Sequence, residues 1–148
     1  MQYLEILIKL RKITRSINLE SKKIQKEFGI SIPQLLLLQY LSNQKDYKAS
    51  AKEIKNYINL NASTVSGIIH RLEQKGLVAR LLNTEDKRGM YVILTAKGSD
   101  LLRDSPTTLQ EKLSKRLKKL SPKQIEELYS SIEILTQLMD ADEIDGAP

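Results

Sequence analysis

The 148-residue sequence contains no cysteine, which excludes a disulfide framework, a thiolate zinc site and a redox switch built on a thiol. It contains a single histidine, His70, so a transition metal would find almost no ligands, and we expect neither a metal nor a cofactor. A run of about 18 apolar residues, as a membrane-spanning helix requires, is also missing, and so is a signal peptide. We therefore expect a soluble, cytoplasmic protein with no membrane partner.

The sequence also lacks the motifs of common enzyme classes. It has no phosphate-binding glycine loop, no nucleophile elbow and no His-Glu-x-x-His motif. Its carboxylates are scattered over polar faces, where solvated charges are the norm. We expect no catalytic residues and no enzymatic activity.

Positive charge is unevenly distributed along what we expect to be one domain, residues 1–148. The formal net charge is +6, and residues 45–98 hold ten Lys and Arg against five acidic residues. Residues 141–148 are predicted to form an acidic tail. A basic protein of this kind favours polyanions, nucleic acid above all, although cations also serve merely to keep a surface soluble.

The stretch from Ser50 to Gly98 predicts a helix, a tight turn, a second helix and a β-hairpin. Ser50 with Glu53 forms a capping box that begins the first helix. Asn61 is a good N-cap for the second helix, and Gly76 is placed to end it in a left-handed conformation. Two helices joined by so short a turn indicate a helix-turn-helix.

The second of these helices has one apolar and one polar face. Val65, Ile68, Ile69 and Leu72 fall on the apolar face at helical spacing. A helix that enters the major groove needs small hydrogen-bonding side chains and a cation, and the other face supplies both, although an ordinary solvated face has the same composition. The predicted DNA-binding residues are Ser63, Thr64, Ser66, Gly67, His70, Arg71 and Gln74.

The hairpin is formed by apolar runs at residues 78–82 and 90–94, joined by a seven-residue connection, residues 83–89. This connection is longer than a tight hairpin needs. Its tip carries Asp86, Lys87 and Arg88, and its cations could reach a narrow, negatively charged minor groove. We predict that Arg88 enters the minor groove, aimed by Asp86, while Lys87 meets phosphate.

With this hairpin the chain resembles the MarR family of winged helix-turn-helix regulators. The resemblance implies a sequence-specific, double-stranded-DNA-binding transcriptional regulator, a repressor, that acts as a homodimer on a pseudo-palindromic operator. The sequence departs from the family at Gly67, where a basic residue is frequent, and at His70, where an acid is frequent. The matching segments are Ser63-Thr64-Val65-Ser66, Arg71-Leu72-Glu73, Lys75-Gly76-Leu77-Val78, Asp86-Lys87-Arg88 and Leu94-Thr95-Ala96-Lys97-Gly98.

A weaker resemblance, to MarR-type regulators of ectoine and other compatible-solute genes, implies a role in the osmotic response. It rests on the Ile32-Pro33-Gln34-Leu35 run, on Thr107-Thr108-Leu109-Gln110-Glu111 and on the ending Ile144-Asp145-Gly146-Ala147-Pro148.

Both ends of the chain are predicted to be helical and to form a two-chain interface, from residues 1–28 and 99–140. The N-terminal helix is apolar on more than one side, and the C-terminal helix has a heptad-like seam. The seam packing on the chain's own core is the alternative. The interface residues predicted are Leu4, Leu7, Ile8, Ile125, Leu128, Ile132, Leu135 and Met139. Pro106 should bend or split the helix after Thr95 near Asp104.

The resulting fold is mainly α, a winged helix-turn-helix in the order α-α-α-α-β-β-α-α, with residues 50–98 as its DNA-binding part. Resemblance to the family also implies an effector cavity lined by the first, second and fifth helices, with Arg15, Gln39 and Tyr40 as candidates for binding an unidentified small molecule. These three could equally be ordinary interface residues. A winged helix that binds protein or RNA, without operator specificity, is the alternative function.

Overall fold

The computed structural model describes residues 1–82, 89–105, 107–142 and 144. The described elements are seven α-helices, a three-residue 3-10 turn and three short strands. In chain order they are α1 (Gln2–Phe28), α2 (Ile32–Ser42), the 3-10 turn (Lys45–Tyr47), β1 (Lys48–Ser50), α3 (Ala51–Ile58), α4 (Ala62–Gln74), β2 (Val78–Leu82), β3 (Met90–Leu94), α5 (Ala96–Asp104), α6 (Leu109–Leu117) and α7 (Pro122–Leu138).

Local capping hydrogen bonds begin several of the helices. The Ser31 hydroxyl accepts from the Gln34 backbone N–H while the Gln34 side chain accepts from the Ser31 N–H, a complete capping box before α2. Ser121 and Gln124 form the same box before α7. The Thr95 hydroxyl accepts from the Gly98 N–H at 3.1 Å and begins α5.

Two details differ from the predicted element order. β1 was not predicted from the sequence, and it makes the sheet three-stranded. The helix after Thr95 is split near Asp104 as predicted, and this adds a helix to the order, since α5 ends at Asp104 and α6 begins at Leu109. Pro106, to which the sequence attributes the break, lies outside the described residues. The mainly α winged helix-turn-helix fold is confirmed with one more strand and one more helix.

The sheet has the strand order β1-β3-β2, and both pairings are antiparallel. Val92 lies at its centre, opposite Ala49 on one side and Arg80 on the other. β1 is too short and too polar to show the period-two pattern of a strand, and its pairing with β3 is a contact over more than forty residues of sequence.

The described chain forms two compact units, one of residues 1–105 and one that contains α6 and α7. The first unit holds a continuous apolar core built around α2 and α4, with β2, β3 and the buried sides of α3 and α5 packed against it. In the second unit, Thr108 is the one described residue that is buried.

Candidate nucleic-acid interface

The turn between α3 and α4 is fixed by backbone conformation and by a cap. Asn59 ends α3 with φ 59°, a left-handed conformation that asparagine tolerates better than most residues. The Asn61 side-chain oxygen accepts from the Thr64 backbone N–H at 2.8 Å and begins α4. Leu60, between the two asparagines, is buried and ties the turn to the core. The first turn of α4 therefore has a defined position and direction.

The two predicted faces of α4 are present in the structure. Val65, Ile68, Ile69 and Leu72 are buried in the core. On the other side Ser63, Ser66, His70, Arg71 and Gln74 are exposed, and Thr64 and Gly67 are half-buried. The structure thus brings the seven predicted residues together on one accessible side of a single helix.

Ser63 and Arg71 differ in the hydrogen bonds that they make within the chain. The Ser63 hydroxyl donates to the Asn61 side-chain oxygen at 2.8 Å, so it takes part in the cap and keeps its own oxygen as an acceptor. Arg71 makes no ion pair or side-chain hydrogen bond with any described residue. Its guanidinium is therefore available to an anion outside the chain.

The C-terminal end of α4 contacts the turn between α1 and α2 and the strand β2. Gly76 takes φ 74°, as predicted, and lets the chain turn back into β2. Lys75 Nζ donates to the Gly29 carbonyl oxygen at 2.6 Å and to the buried Gln34 side-chain oxygen at 3.3 Å. Glu73 pairs with Arg80 of β2 at 3.4 Å. The end of α4 is therefore tied to the turn between α1 and α2 and to the wing.

The start of α5 also contacts the C-terminal end of α4. Thr95 donates its hydroxyl to the Gly76 carbonyl at 2.7 Å, and Lys97 Nζ donates to the Lys75 carbonyl at 2.8 Å. A Cβ at Gly98 would lie 2.3 Å from the Leu77 carbonyl oxygen, so only glycine permits this approach. The Leu-Thr-x-x-Gly segment noted in the sequence thus holds the end of α4 against α5.

A depression of about 420 Å³ lies between α3, the first half of α4 and β2. Its lining includes Ser66 and three cations, Lys52, Lys55 and Arg80. The sequence-based prediction did not include these cations. Lys52 and Lys55 stand on the polar face of α3, a signal that was available, whereas Arg80 reaches the site only through the pairing of β2 with β3.

Of the predicted wing, the structure describes the two strands. β2 and β3 form its stem, with Leu82 at 76% exposure at the end of β2. Asp86, Lys87 and Arg88 lie in residues 83–88, outside the described residues.

The three predicted effector residues lie in different surroundings. Arg15 borders a groove on the exposed side of α1, together with Arg11, Thr14, Asn18, Leu19 and Lys22. Tyr40 instead stacks on Tyr57 of α3, with ring centroids 4.3 Å apart. Burial, then the charge of Glu53, then the neighbouring Tyr57, raise the pKa of Tyr40 above its ordinary value of 10.0. Gln39 is half-buried, and its backbone carbonyl accepts from Ser42 and Asn43.

The predicted interface residues are accessible in the single chain. Leu135 is half-buried, and the other seven are exposed: Leu4, Leu7, Ile8, Ile125, Leu128, Ile132 and Met139. Of the 27 residues of α1 only Ile24 is buried, and α7 has no buried residue.

Within the described ranges, no group of three or more His, Cys, Asp or Glu side chains is placed to hold a metal ion. No helix in the same ranges has the length and apolar character needed to cross a membrane.

A capped helix-turn-helix joined to a small antiparallel sheet defines the class of this protein as a winged helix-turn-helix. The model of the MarR family matches residues 30–90. YfiV of Bacillus subtilis, described as an uncharacterized HTH-type transcriptional regulator, is 28% identical over 136 residues, which cover 92% of this chain and 84% of that protein.

A second relative and a solved structure are also described as transcriptional regulators. YetL of Bacillus subtilis, described as an HTH-type transcriptional repressor, is 30% identical over 95 residues, 64% of this chain and 57% of that protein. Sco3205 of Streptomyces coelicolor, a MarR family transcriptional regulator solved in complex with DNA, shares the fold with a TM-score of 0.70 and 24% identity, over 95% of this chain and 89% of that one. The family model and these regulators agree with the resemblance to the MarR family that the sequence motifs indicated. None of these relatives supports the enzyme alternative.

Proposed function

We propose that this protein is a transcriptional repressor that binds double-stranded DNA as a homodimer, with α4 as its recognition helix. The observation that carries the proposal is the exposed side of α4, where hydroxyls, His70 and an unpaired Arg71 stand on a helix fixed at both ends. The relative solved with DNA and the relative described as a repressor support it. Lys52, Lys55 and Arg80 extend the basic surface beside α4 and are suited to phosphate.

The homodimer accounts for the apolar residues left uncovered at both ends of the chain. Leu4, Leu7 and Ile8 of α1 and the seam of α7 are accessible in one chain, and contiguous apolar surface of this kind marks an interface. A second copy of the chain offers the same surfaces and so generates a two-fold axis. Two recognition helices related by that axis would contact half-sites about 10 bp apart.

DNA binding by α4 is tested by the salt dependence of affinity for a duplex selected from a random pool. Arg71→Ala should weaken binding and reduce the slope of log affinity against log salt by about one unit, because one phosphate contact is lost. Lys123→Ala is the matched control, since it also removes one exposed cation, from α7. Equal losses in the two variants would mean that net charge, and not the α4 surface, determines binding. Single-stranded RNA that competes as well as duplex would favour the RNA-binding alternative.

The dimer is tested by sedimentation at micromolar concentration. Leu7→Glu and Leu135→Glu should each shift the protein from dimer to monomer and weaken duplex binding with it. Leu82→Glu changes a more exposed leucine in the wing and should leave the dimer intact. A wild-type monomer that still binds a single half-site tightly would contradict the proposed architecture.

Ligand control and an osmotic role stay predictions. Tyr40 is engaged with Tyr57, and the groove at Arg15 is formed by α1 residues. Any effector must bind one dimer conformation better than the other, so calorimetry with and without duplex is the measurement that would detect it. The wing residues Asp86, Lys87 and Arg88 likewise stay predicted DNA contacts.

A further inference from the structure

Gly67 is a glycine that the fold does not require. Gly29 and Gly76 have φ values of 69° and 74°, and a Cβ at Gly98 would collide with the Leu77 carbonyl. Gly67 has helical geometry in the middle of α4, and a Cβ built on it meets no atom of the described residues within 4 Å, apart from its chain neighbours and the backbone of its own helix. A glycine inside a helix costs about 1 kcal/mol relative to alanine. Since no contact within the chain explains this cost, the reason lies outside the chain.

The missing side chain leaves a notch in the recognition surface. Ser63 and Thr64 lie one turn before Gly67, and His70 and Arg71 lie one turn after it. The notch is thus surrounded by side chains that can hydrogen-bond to base edges or phosphates. Its floor is different, because the backbone N–H and C=O groups in the middle of a helix are bonded within the helix. The floor therefore presents Cα and no free N–H donor, and its carbonyl oxygens each already accept one hydrogen bond.

We propose that this notch receives the C5 methyl group of a thymine in the major groove, which makes Gly67 a specificity-determining residue. The inference rests on the proposed DNA-binding function. Guanine and adenine present the acceptors N7 and O6 in that groove, which find no N–H donor at this floor. Adenine and cytosine present amino groups there, which meet only carbonyl oxygens that are already hydrogen-bonded within the helix. Thymine alone among the four bases also presents an apolar group there. A Cβ at position 67 would occupy the space that the methyl group needs.

The test uses the best duplex that the wild-type dimer selects from a random pool. Each thymine is replaced in turn by deoxyuridine, which removes the methyl group and leaves base pairing unchanged. At one position in each half-site, wild-type protein should lose affinity about four-fold, the value of one buried methyl group. Gly67→Ala should bind the parent duplex more weakly and be insensitive to deoxyuridine at that position.

Two controls distinguish loss of the thymine contact from a general disruption of the helix. Gly67→Ala should raise the melting temperature, since alanine favours the helix and meets no clash, so weaker binding could not be ascribed to misfolding. Ser63→Ala changes the same surface without filling the notch and should retain the wild-type sensitivity to deoxyuridine.

Two results would overturn the inference in distinguishable ways. If wild type and Gly67→Ala bind duplex and respond identically to deoxyuridine at every position, the inference is wrong and the proposed function stands. If wild-type protein binds no duplex at all, the proposed function fails and the inference fails with it.

Discussion

The middle of this chain and its ends use apolar residues in opposite ways. Every buried hydrophobic residue of the described chain except Ile24 lies between Ile30 and Leu94. In α7 the seam residues recur at the same helical spacing as those of a core helix, yet none is buried. The spacing of apolar residues along a helix therefore shows which side must be buried. It does not show whether the same chain or a partner buries that side. In the middle, the chain covers itself; at the ends, the proposed second copy does so.

The difference between the two regions is tested most strongly by truncating one leucine in each of them. Leu72 is fully buried in α4, so Leu72→Ala should lower the free energy of unfolding by about 2–5 kcal/mol. This loss arises inside one chain and should not depend on protein concentration. Chemical denaturation at two protein concentrations measures it.

Leu128→Ala is the matched variant at the end of the chain. Leu128 is 41% exposed in the single chain, so its truncation should act mainly through association of the two copies. Its effect on the melting temperature should shrink as the protein is diluted, because dimerisation stabilises the fold by mass action and both proteins become monomeric at low concentration. A concentration-independent loss as large as that of Leu72→Ala would show that α7 is covered within its own chain.

A second prediction concerns the middle of the chain, where replacing either of two helical glycines by alanine should change the free energy of unfolding in opposite directions. Gly98→Ala should destabilise the fold by about 1–3 kcal/mol, because the new Cβ would have to push the Leu77 carbonyl away. Gly67→Ala should stabilise it by about 1 kcal/mol, since its surroundings are open. Thermal denaturation of both variants checks the pair. Destabilisation by Gly67→Ala would mean that the helix is constrained there by something other than packing.

Sequence reasoning succeeded where the determinants are local. Asn61 and Thr95 each accept a hydrogen bond from an N–H three residues ahead, so the cap and its partner are visible in one short segment. The side of α4 that is exposed also followed from spacing alone.

It fell short where distant segments meet. β1 is defined by its pairing with β3, and Lys75 reaches the Gly29 carbonyl 46 residues away. The cations beside α4 come from α3 and β2, so no single stretch of sequence shows them together. The stack of Tyr40 on Tyr57 likewise joins two different helices. Contacts of this kind depend on how elements pack, which periodicity does not encode.

The smallest expected effect concerns Tyr40, which belongs to the packed middle and links α2 to α3 through its stack on Tyr57. Its pKa is raised in the folded chain, first by burial and then by Glu53 and Tyr57. Below pH 10 both the folded and unfolded forms keep the phenol proton, so its contribution to stability is fully present. Above pH 10 the unfolded chain releases the proton more readily, and stability is lost as pH rises towards the raised pKa. Tyr40→Phe retains the ring and removes the proton, so its free energy of unfolding should fall less than that of wild type between pH 9 and 11. Tyr3→Phe, at an exposed position on α1, is the control and should follow the wild-type curve. If Tyr40→Phe also follows that curve, Tyr40 titrates alike in both states and its stacked position costs the ionised form nothing.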